Sequence, residues 1–330
     1  MQLLTVSPSP HIRSSMSTQK IMCLVILALL PAMISSVIVF GIRALLLIVF
    51  CVLICVLSEF ICQKLMKKET TIQDGSAALT GVLLALNLPA TLPLWEAAIG
   101  CIFAIAVVKQ LFGGLGCNFA NPAITGRIFL LLSFAGDMTT WVKPFYYKGL
   151  SFGGMLSSNG SNTIDALTSA TPLASGDAGL LELFIGNVGG CIGETSALAL
   201  LVGGVFLIAM GIISASTPIA YLGSLGLLSL LHTLISGGEM SSVIYTLLSG
   251  GVMLGAFFMA TDYVTTPITT KGKIIFGIGC GILTFVIREF ASMPEGCSFS
   301  ILLMNLLTPY IDRFTMTKPV GAKVQEKGAK

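Results

Sequence analysis

Apolar runs of helical length recur along this chain from residue 21 to residue 312. A helix needs roughly 18 or more apolar residues to cross a bilayer's hydrocarbon core. The chain has room for about ten such helices, and the sequence predicts an all-α polytopic membrane protein. The expected spans are 21–40, 44–63, 74–89, 94–112, 122–136, 195–213, 218–235, 242–259, 273–290 and 298–312. Several are short or carry Gly or Pro, which points to helices buried among other helices or to broken, re-entrant segments. Only 10% of the residues are charged, against about 25% in an average soluble domain.

The first run follows Lys20 and could pass for a signal peptide. Its length, Pro31 within it and the next span starting near Ala44 favour a retained helix. The segment 179–193 (GLLELFIGNVGGCIG) is too short in its apolar part and too rich in glycine for a crossing, and reads as a surface or half-inserted helix. The net charge is +3 with no basic cluster interleaved with aromatics, so nucleic acid is not an expected partner. Nine cysteines form no CxxC and mostly sit in apolar segments. That argues against a disulfide framework and against a zinc or iron–sulfur site within the chain. Walker A, HExxH and Gly-x-Ser-x-Gly motifs are absent, and GGLG (113–116) follows no strand. No catalytic residue or resident metal is expected.

Lys and Arg set the orientation. With the N-terminus inside, thirteen basic residues fall on the inner side, Lys109 among them. Four fall outside: Arg43, Lys143, Lys148 and Arg288. Both termini are then cytoplasmic, and the long gap after the fifth span is extracytoplasmic.

The chain also repeats itself. IGCIFAIAVVKQLFGGLGCNF (99–119) aligns with IGCGILTFVIREFASMPEGCSF (278–299) after a one-residue gap, and GVLLALN (81–87) with GVMLGAF (251–257). Expected spans three to five pair with spans eight to ten, five crossings apart, so the two repeats are inverted. The chain divides into an N-terminal segment 1–20, a first membrane repeat 21–136, a loop 137–194, a second repeat 195–312 and a tail 313–330. Inverted repeats place sites where broken helices meet. The interrupted stretches are LNLPATLP (86–93), GCNFANPAITGR (116–127) and MATDYVTTPITTKG (259–272). Each carries Pro, which frees backbone carbonyls suited to a hard cation such as Na+. Asn118, Asn121, Thr261, Asp262 and Thr265 are the candidate ion-pathway residues; taken singly, each better suits a helix cap or an interfacial turn.

Acids within or near the apolar spans are Glu59, Glu96, Glu194, Glu239, Asp262 and Glu289. An ionisable group at depth is costly and marks a functional hypothesis. Asp262 lies in an irregular segment and is the stronger candidate. Glu59, near the inner end of its span, is within snorkelling reach of the interface.

One tract in the extracytoplasmic gap needs its own account. DALTSATPLAS (165–175) presents the Thr171 hydroxyl among small residues, with Asp165 six positions upstream. Such a hydroxyl suits enzymatic attachment of a phosphate-bearing group, because it can attack a pyrophosphate once a partner enzyme and metal activate it.

This tract resembles the flavinylation motif of the NqrB/RnfD family, membrane subunits shared by two related redox pumps. RnfD belongs to the Rnf ferredoxin:NAD oxidoreductase, and NqrB to the sodium-pumping NADH:quinone oxidoreductase. The likeness extends through SPSPHIRSSMSTQKIM (7–22), DGSAALTGVLLALNLP (74–89), GGLGCNFANPA (113–123), GGCIGETSALALL (189–201) and FMATDYVTTP (258–267). Only about 20 residues precede the first span, which favours the Rnf type, since the quinone-reducing NqrB carries a longer N-terminal region.

The resemblance implies FMN joined through its phosphate to Thr171 by a flavin transferase, with Asp165, Ser169 and Ala170 as recognition residues. It implies a second, non-covalent flavin, riboflavin, in the membrane domain. It implies a translocase component in the cell (inner) membrane that is not catalytic alone. Its partners would be a flavoprotein subunit on the outer face and iron–sulfur subunits, and the complex would move Na+ or H+. The rival reading is a passive channel of the urea-transporter type, to which the inverted five-helix repeat is similar; it would carry no covalent flavin.

Overall fold

The computed structural model describes residues 16–149, 179–291 and 296–316. The tract 165–175, with Asp165, Ser169, Ala170 and Thr171, lies outside the described residues. Among those described, the chain is all-helical, with one isolated β-bridge between Pro89 and Cys191.

Helix covers each apolar run. In the first half these are α1 (Thr18–Phe40), α2 (Ile42–Leu65), α3 (Ser76–Leu86), α4 (Leu94–Ile102) continued by a π-helix (Phe103–Gln110), α5 (Pro122–Ser133) and the short α6 (Ala135–Met138). After the undescribed stretch come α7 (Leu180–Ile185), α8 (Ala197–Ala209), α9 (Ser216–Ser236), α10 (Ser241–Leu248) and α11 (Val252–Leu254). A second π-helix (Gly255–Met259), α12 (Thr270–Phe290) and α13 (Cys297–Thr315) complete the order. Among the described residues, four helices are long and apolar enough to cross a membrane: α1, α2, α9 and α12. The bent pair Ser241–Leu248 and Val252–Met259 makes a fifth if counted as one span. The shorter α3, α5 and α8 pack among the longer helices. Leu53, Leu57, Ile34 and Ile38 point outward from α1 and α2 as an exposed apolar stripe.

Close helix contacts depend on small residues, as expected where apolar burial gives no net drive for association. A Cβ on Gly203 of α8 would collide with the Ala28 carbonyl of α1. One on Gly81 of α3 would lie 2.7 Å from Val52 Cα of α2. On α12, a Cβ on Gly277 would sit 2.8 Å from the Thr217 carbonyl of α9.

The helix breaks are satisfied internally, as burial of backbone polar groups requires. The chain bends 60° between α10 and α11, where Gly250 and Gly251 both take positive φ. Three carbonyls freed there, those of Thr246, Ser249 and Gly250, accept from the Arg288 guanidinium at 2.7, 3.0 and 3.2 Å. In the first half, Arg43 donates to the Leu92 carbonyl at 3.0 Å. The 179–193 segment forms the six-residue helix α7 and then an irregular stretch of bends and a turn. Ile192 N–H donates to the Leu88 carbonyl at 3.0 Å and Gly193 N–H to that of Leu86 at 2.7 Å, so the stretch plugs the gap after α3.

Three charges read from sequence as interfacial are in fact interior. Lys109, counted with the inner-side charges, is 2% exposed; Arg43, counted outside, is 4% exposed; Glu59 is fully buried. Their polar partners, rather than snorkelling to water, carry the cost of burial.

Candidate cofactor and ion site

The first turns of α1, the first half of α3, the π-helix after α4, the start of α5 and the loop after the second π-helix converge on one cavity. Local sequence explains the convergence. Asn121 caps α5: its side-chain oxygen accepts from Ala123 N–H at 3.0 Å and Ile124 N–H at 3.4 Å, with Pro122 in the first turn. Pro fits there because its missing donor would be unpaired anyway. The Asn121 amide also donates to the Met259 carbonyl at 3.4 Å, tying α5 to the second π-helix. Asn118 donates to the Ala120 carbonyl at 3.2 Å and turns its side chain to the same space. The walls are apolar, with Leu79, Leu83, Phe257 and Phe258 prominent.

Asp262 sits at one side of the cavity in a hydroxyl-rich loop. The Thr265 hydroxyl donates to Asp262 Oδ2 at 3.1 Å, and that of Thr266 to the Asp262 carbonyl at 2.6 Å. The Thr265 carbonyl accepts from Thr308 Oγ1 at 2.9 Å; with the Asn305 amide assigned the orientation that satisfies both its ends, its nitrogen donates to the same carbonyl at 3.2 Å and its oxygen accepts from Asn121 N–H at 3.2 Å. α13 therefore couples the Asp262 loop to the α5 cap. Burial pushes the Asp262 carboxyl above its ordinary range, and the Thr265 hydrogen bond partly offsets this. A second cavity shares Ile213, Thr261 and Tyr263 with the first. The Tyr263 hydroxyl donates to the Ile212 carbonyl on their common boundary.

On the wall formed by α3 and the first π-helix, Lys109 Nζ lies 2.7 Å from Glu59 Oε1. It also donates to Ser76 Oγ at 2.6 Å. Gln110 donates to Glu59 Oε1 at 2.6 Å, and Gln63 does so at 3.5 Å while also bonding Thr71. The π-helix turns both Lys109 and Gln110 inward, each at most 2% exposed. Such wide turns recur at functional sites.

Four of the five predicted pathway residues, Asn118, Asn121, Thr261 and Asp262, line this one cavity. Thr265 stands behind them, bonded to Asp262. Asp165, Ser169, Ala170 and Thr171 lie outside the described residues. Sequence reasoning missed Lys109, Ser76 and Asn305, and read Glu59 as an interfacial charge. An adjacent Lys-Gln pair inside IAVVKQLF was the available signal, since a charge in an apolar helix calls for a partner; Asn305, in a polar-flecked helix, had none. The other acids lie elsewhere. Glu239 accepts from Ser241 at 3.0 Å, and Glu289 pairs with His232 at 3.9 Å on the surface.

The cavity meets the needs of a planar, partly polar ligand. Small-molecule sites have apolar walls and a few convergent polar groups. Here the amides of Asn118 and Asn121, the Lys109 ammonium and the Ser76 hydroxyl converge on leucine and phenylalanine walls. Among the described residues, no cluster of three or more His, Cys, Asp or Glu could hold a metal ion.

Comparison with known proteins follows the same line. A family model described as the NQR2, RnfD, RnfE family matches residues 5–321. The chain is similar to the D component of the Na+-translocating ferredoxin:NAD+ oxidoreductase complex of Acetobacterium woodii, at 49% identity over 99% of this chain and 98% of that protein. It is similar to the D component of the proton-translocating ferredoxin:NAD+ oxidoreductase complex of Clostridium ljungdahlii, at 41% identity over 97% of each. A third relative, the D component of the ion-translocating oxidoreductase complex of Stutzerimonas stutzeri, is 39% identical over 94% of each.

Proposed function

Because the chain belongs to the NQR2, RnfD, RnfE family, we propose that it is the RnfD component of an ion-translocating ferredoxin:NAD+ oxidoreductase complex in the cell membrane. The carrying observation is full-length similarity to relatives that hold this place in their own complexes. The tract DALTSATPLAS adds the chemistry: a flavin transferase esterifies FMN to Thr171, with Asp165, Ser169 and Ala170 read by that enzyme. The polypeptide crosses the membrane about ten times in two inverted, urea-transporter-like repeats, with Thr171 outside and both termini inside. Its electron partners are a flavoprotein subunit on the outer face and iron–sulfur subunits.

The cavity between α3, α5 and the Asp262 loop is the proposed seat of the non-covalent riboflavin. A flavin bound there supplies one- and two-electron transfer; the protein supplies position and electrostatics. Phe257, Phe258, Leu79 and Leu83 exclude water from the ring, while Asn118 and Asn121 orient its polar edge. Asp262, held by Thr265, is the carboxylate that meets the moving cation on the same cavity wall. Placing the electron carrier and the ion's carboxylate in one low-dielectric space gives them a direct electrostatic coupling. Two relatives are named for different ions, Na+ and H+, so the ion is set by details finer than the shared fold.

In-gel flavin fluorescence after denaturation tests the covalent site. Wild type fluoresces and Thr171→Val is dark; equal signals in both, or none in either, reject FMN at Thr171. Chromatography of flavin released without proteolysis tests the cavity: riboflavin leaves with wild type and is depleted in Asn118→Leu.

A further inference from the structure

Ion passage and electron transfer, as described, give Lys109 no task, yet burying an ammonium is expensive. Its surroundings form a connected chain. Lys109 donates to Ser76 Oγ at 2.6 Å, and the Ser76 hydroxyl donates to Asp74 Oδ1 at 2.6 Å. Asp74 is half-buried at the end of the 3-10 turn Ile72–Asp74, before α3, and does not line the cavity. Ser76 and Lys109 both do. Glu59 Oε1, 2.7 Å from the ammonium, supplies the countercharge, and its other oxygen has no hydrogen-bond partner. Both links fall at the short end of hydrogen-bond distances, within the roughly 2.6–3.2 Å that proton transfer needs.

We propose that Asp74, Ser76 and Lys109 form a proton path between the inner aqueous phase and the cavity, with Glu59 as fixed countercharge. The proposal rests on the reading that the cavity holds a flavin, a ligand that takes up protons as it is reduced. Lys109 gives one Nζ proton to the reduced ligand. Asp74, a carboxylate that accepts from Ser76, takes a proton from water and passes it to Ser76 Oγ as Ser76 gives its own hydroxyl proton to Lys109, which returns Asp74 to the carboxylate. One proton leaves the inner phase, one arrives on the ligand, and every side chain ends as it began. The opposite sequence runs on oxidation. Asp262, on another part of the wall, is left to the transported cation. A purely structural role for the chain would make Ser76 a stabilising link at the start of α3 and nothing more.

The full chain, purified in detergent and carrying Thr171→Val so that riboflavin is its remaining flavin, is reduced by a flash photosensitiser. A pH-indicator dye reports proton uptake, and flavin content is measured on the same samples. Ser76→Ala slows uptake about tenfold or more per flavin retained, and Ser76→Thr restores the rate. Asp74→Asn, outside the cavity lining, also slows uptake with flavin retained, and is decisive if Ser76→Ala sheds its flavin. Uptake at the parent rate in flavin-loaded Asp74→Asn overturns the path. A parent chain with no non-covalent flavin instead overturns the reading of the cavity, and the path falls with it.

Discussion

Lys109 Nζ and Glu59 Oε1 lie 2.7 Å apart, with both side chains out of contact with solvent. The pair joins α2 to the first π-helix deep in the bundle. Removing one member of a buried pair leaves an uncompensated charge, at a cost of about 3–5 kcal/mol, whereas replacing both by apolar groups is often close to neutral.

Glu59→Leu and Lys109→Met should therefore each lower the detergent melting temperature markedly, and the double variant should recover most of the loss. Thermal melts of the four chains make a double-mutant cycle. Additive losses would show that the pair is not coupled.

Asn121 holds two jobs on one side chain, capping α5 and tethering Met259. Asn121→Ala removes both and should cost about 1 kcal/mol for the cap alone, with riboflavin lost as well. Asn121→Asp keeps the capping oxygen and loses the amide donor. It should hold its stability more nearly than the alanine variant while still releasing flavin. Melting temperature and flavin content, measured together, separate the two roles.

Asp262 gives a pH dependence of known sign. Its carboxyl is raised by burial, so the folded chain holds that proton more tightly than the unfolded chain. The resulting stability is present below the unfolded value and is lost as pH rises through the folded one. Asp262→Asn removes this loss. The melting-temperature difference, variant minus wild type, should grow as pH rises above the ordinary carboxyl value of about 4. A difference that shrinks over that range would contradict the assigned burial.

Gly203 lets α8 meet the Ala28 carbonyl of α1. Gly203→Leu should cost about 1–3 kcal/mol or more through overpacking. Leu substitution at Gly223 of α9, which has no neighbour in reach, should be tolerated. Yield of monodisperse protein in size-exclusion chromatography distinguishes them.

The helices were legible because each apolar run must satisfy its own backbone, which makes hydropathy and helix coincide. Pro and Gly marked the interruptions after α3, before α5 and before α12. The bend at Gly250 and Gly251 went unmarked, because paired glycines inside an apolar run also suit close helix packing. The candidate site was legible where irregular backbone carries polar side chains, as at Asn118, Asn121 and Asp262. It was hidden where a polar group sits within regular helix. Lys109 follows an apolar run and reads as an interfacial charge; the π turn that swings it inward is a tertiary effect with no local code. Glu59 was misjudged for the same reason, its partner lying 50 positions away in sequence.

The central claim is that a flavin is carried as a phosphoester on one extracytoplasmic threonine. Its most direct test is the mass of the chain purified from cells with a working flavin transferase, followed by fragmentation of the peptide that contains residues 165–175. The account predicts one added FMN residue, located on Thr171 and absent from Thr171→Val. An unmodified Thr171 in those cells, or FMN found on a different residue, would contradict it.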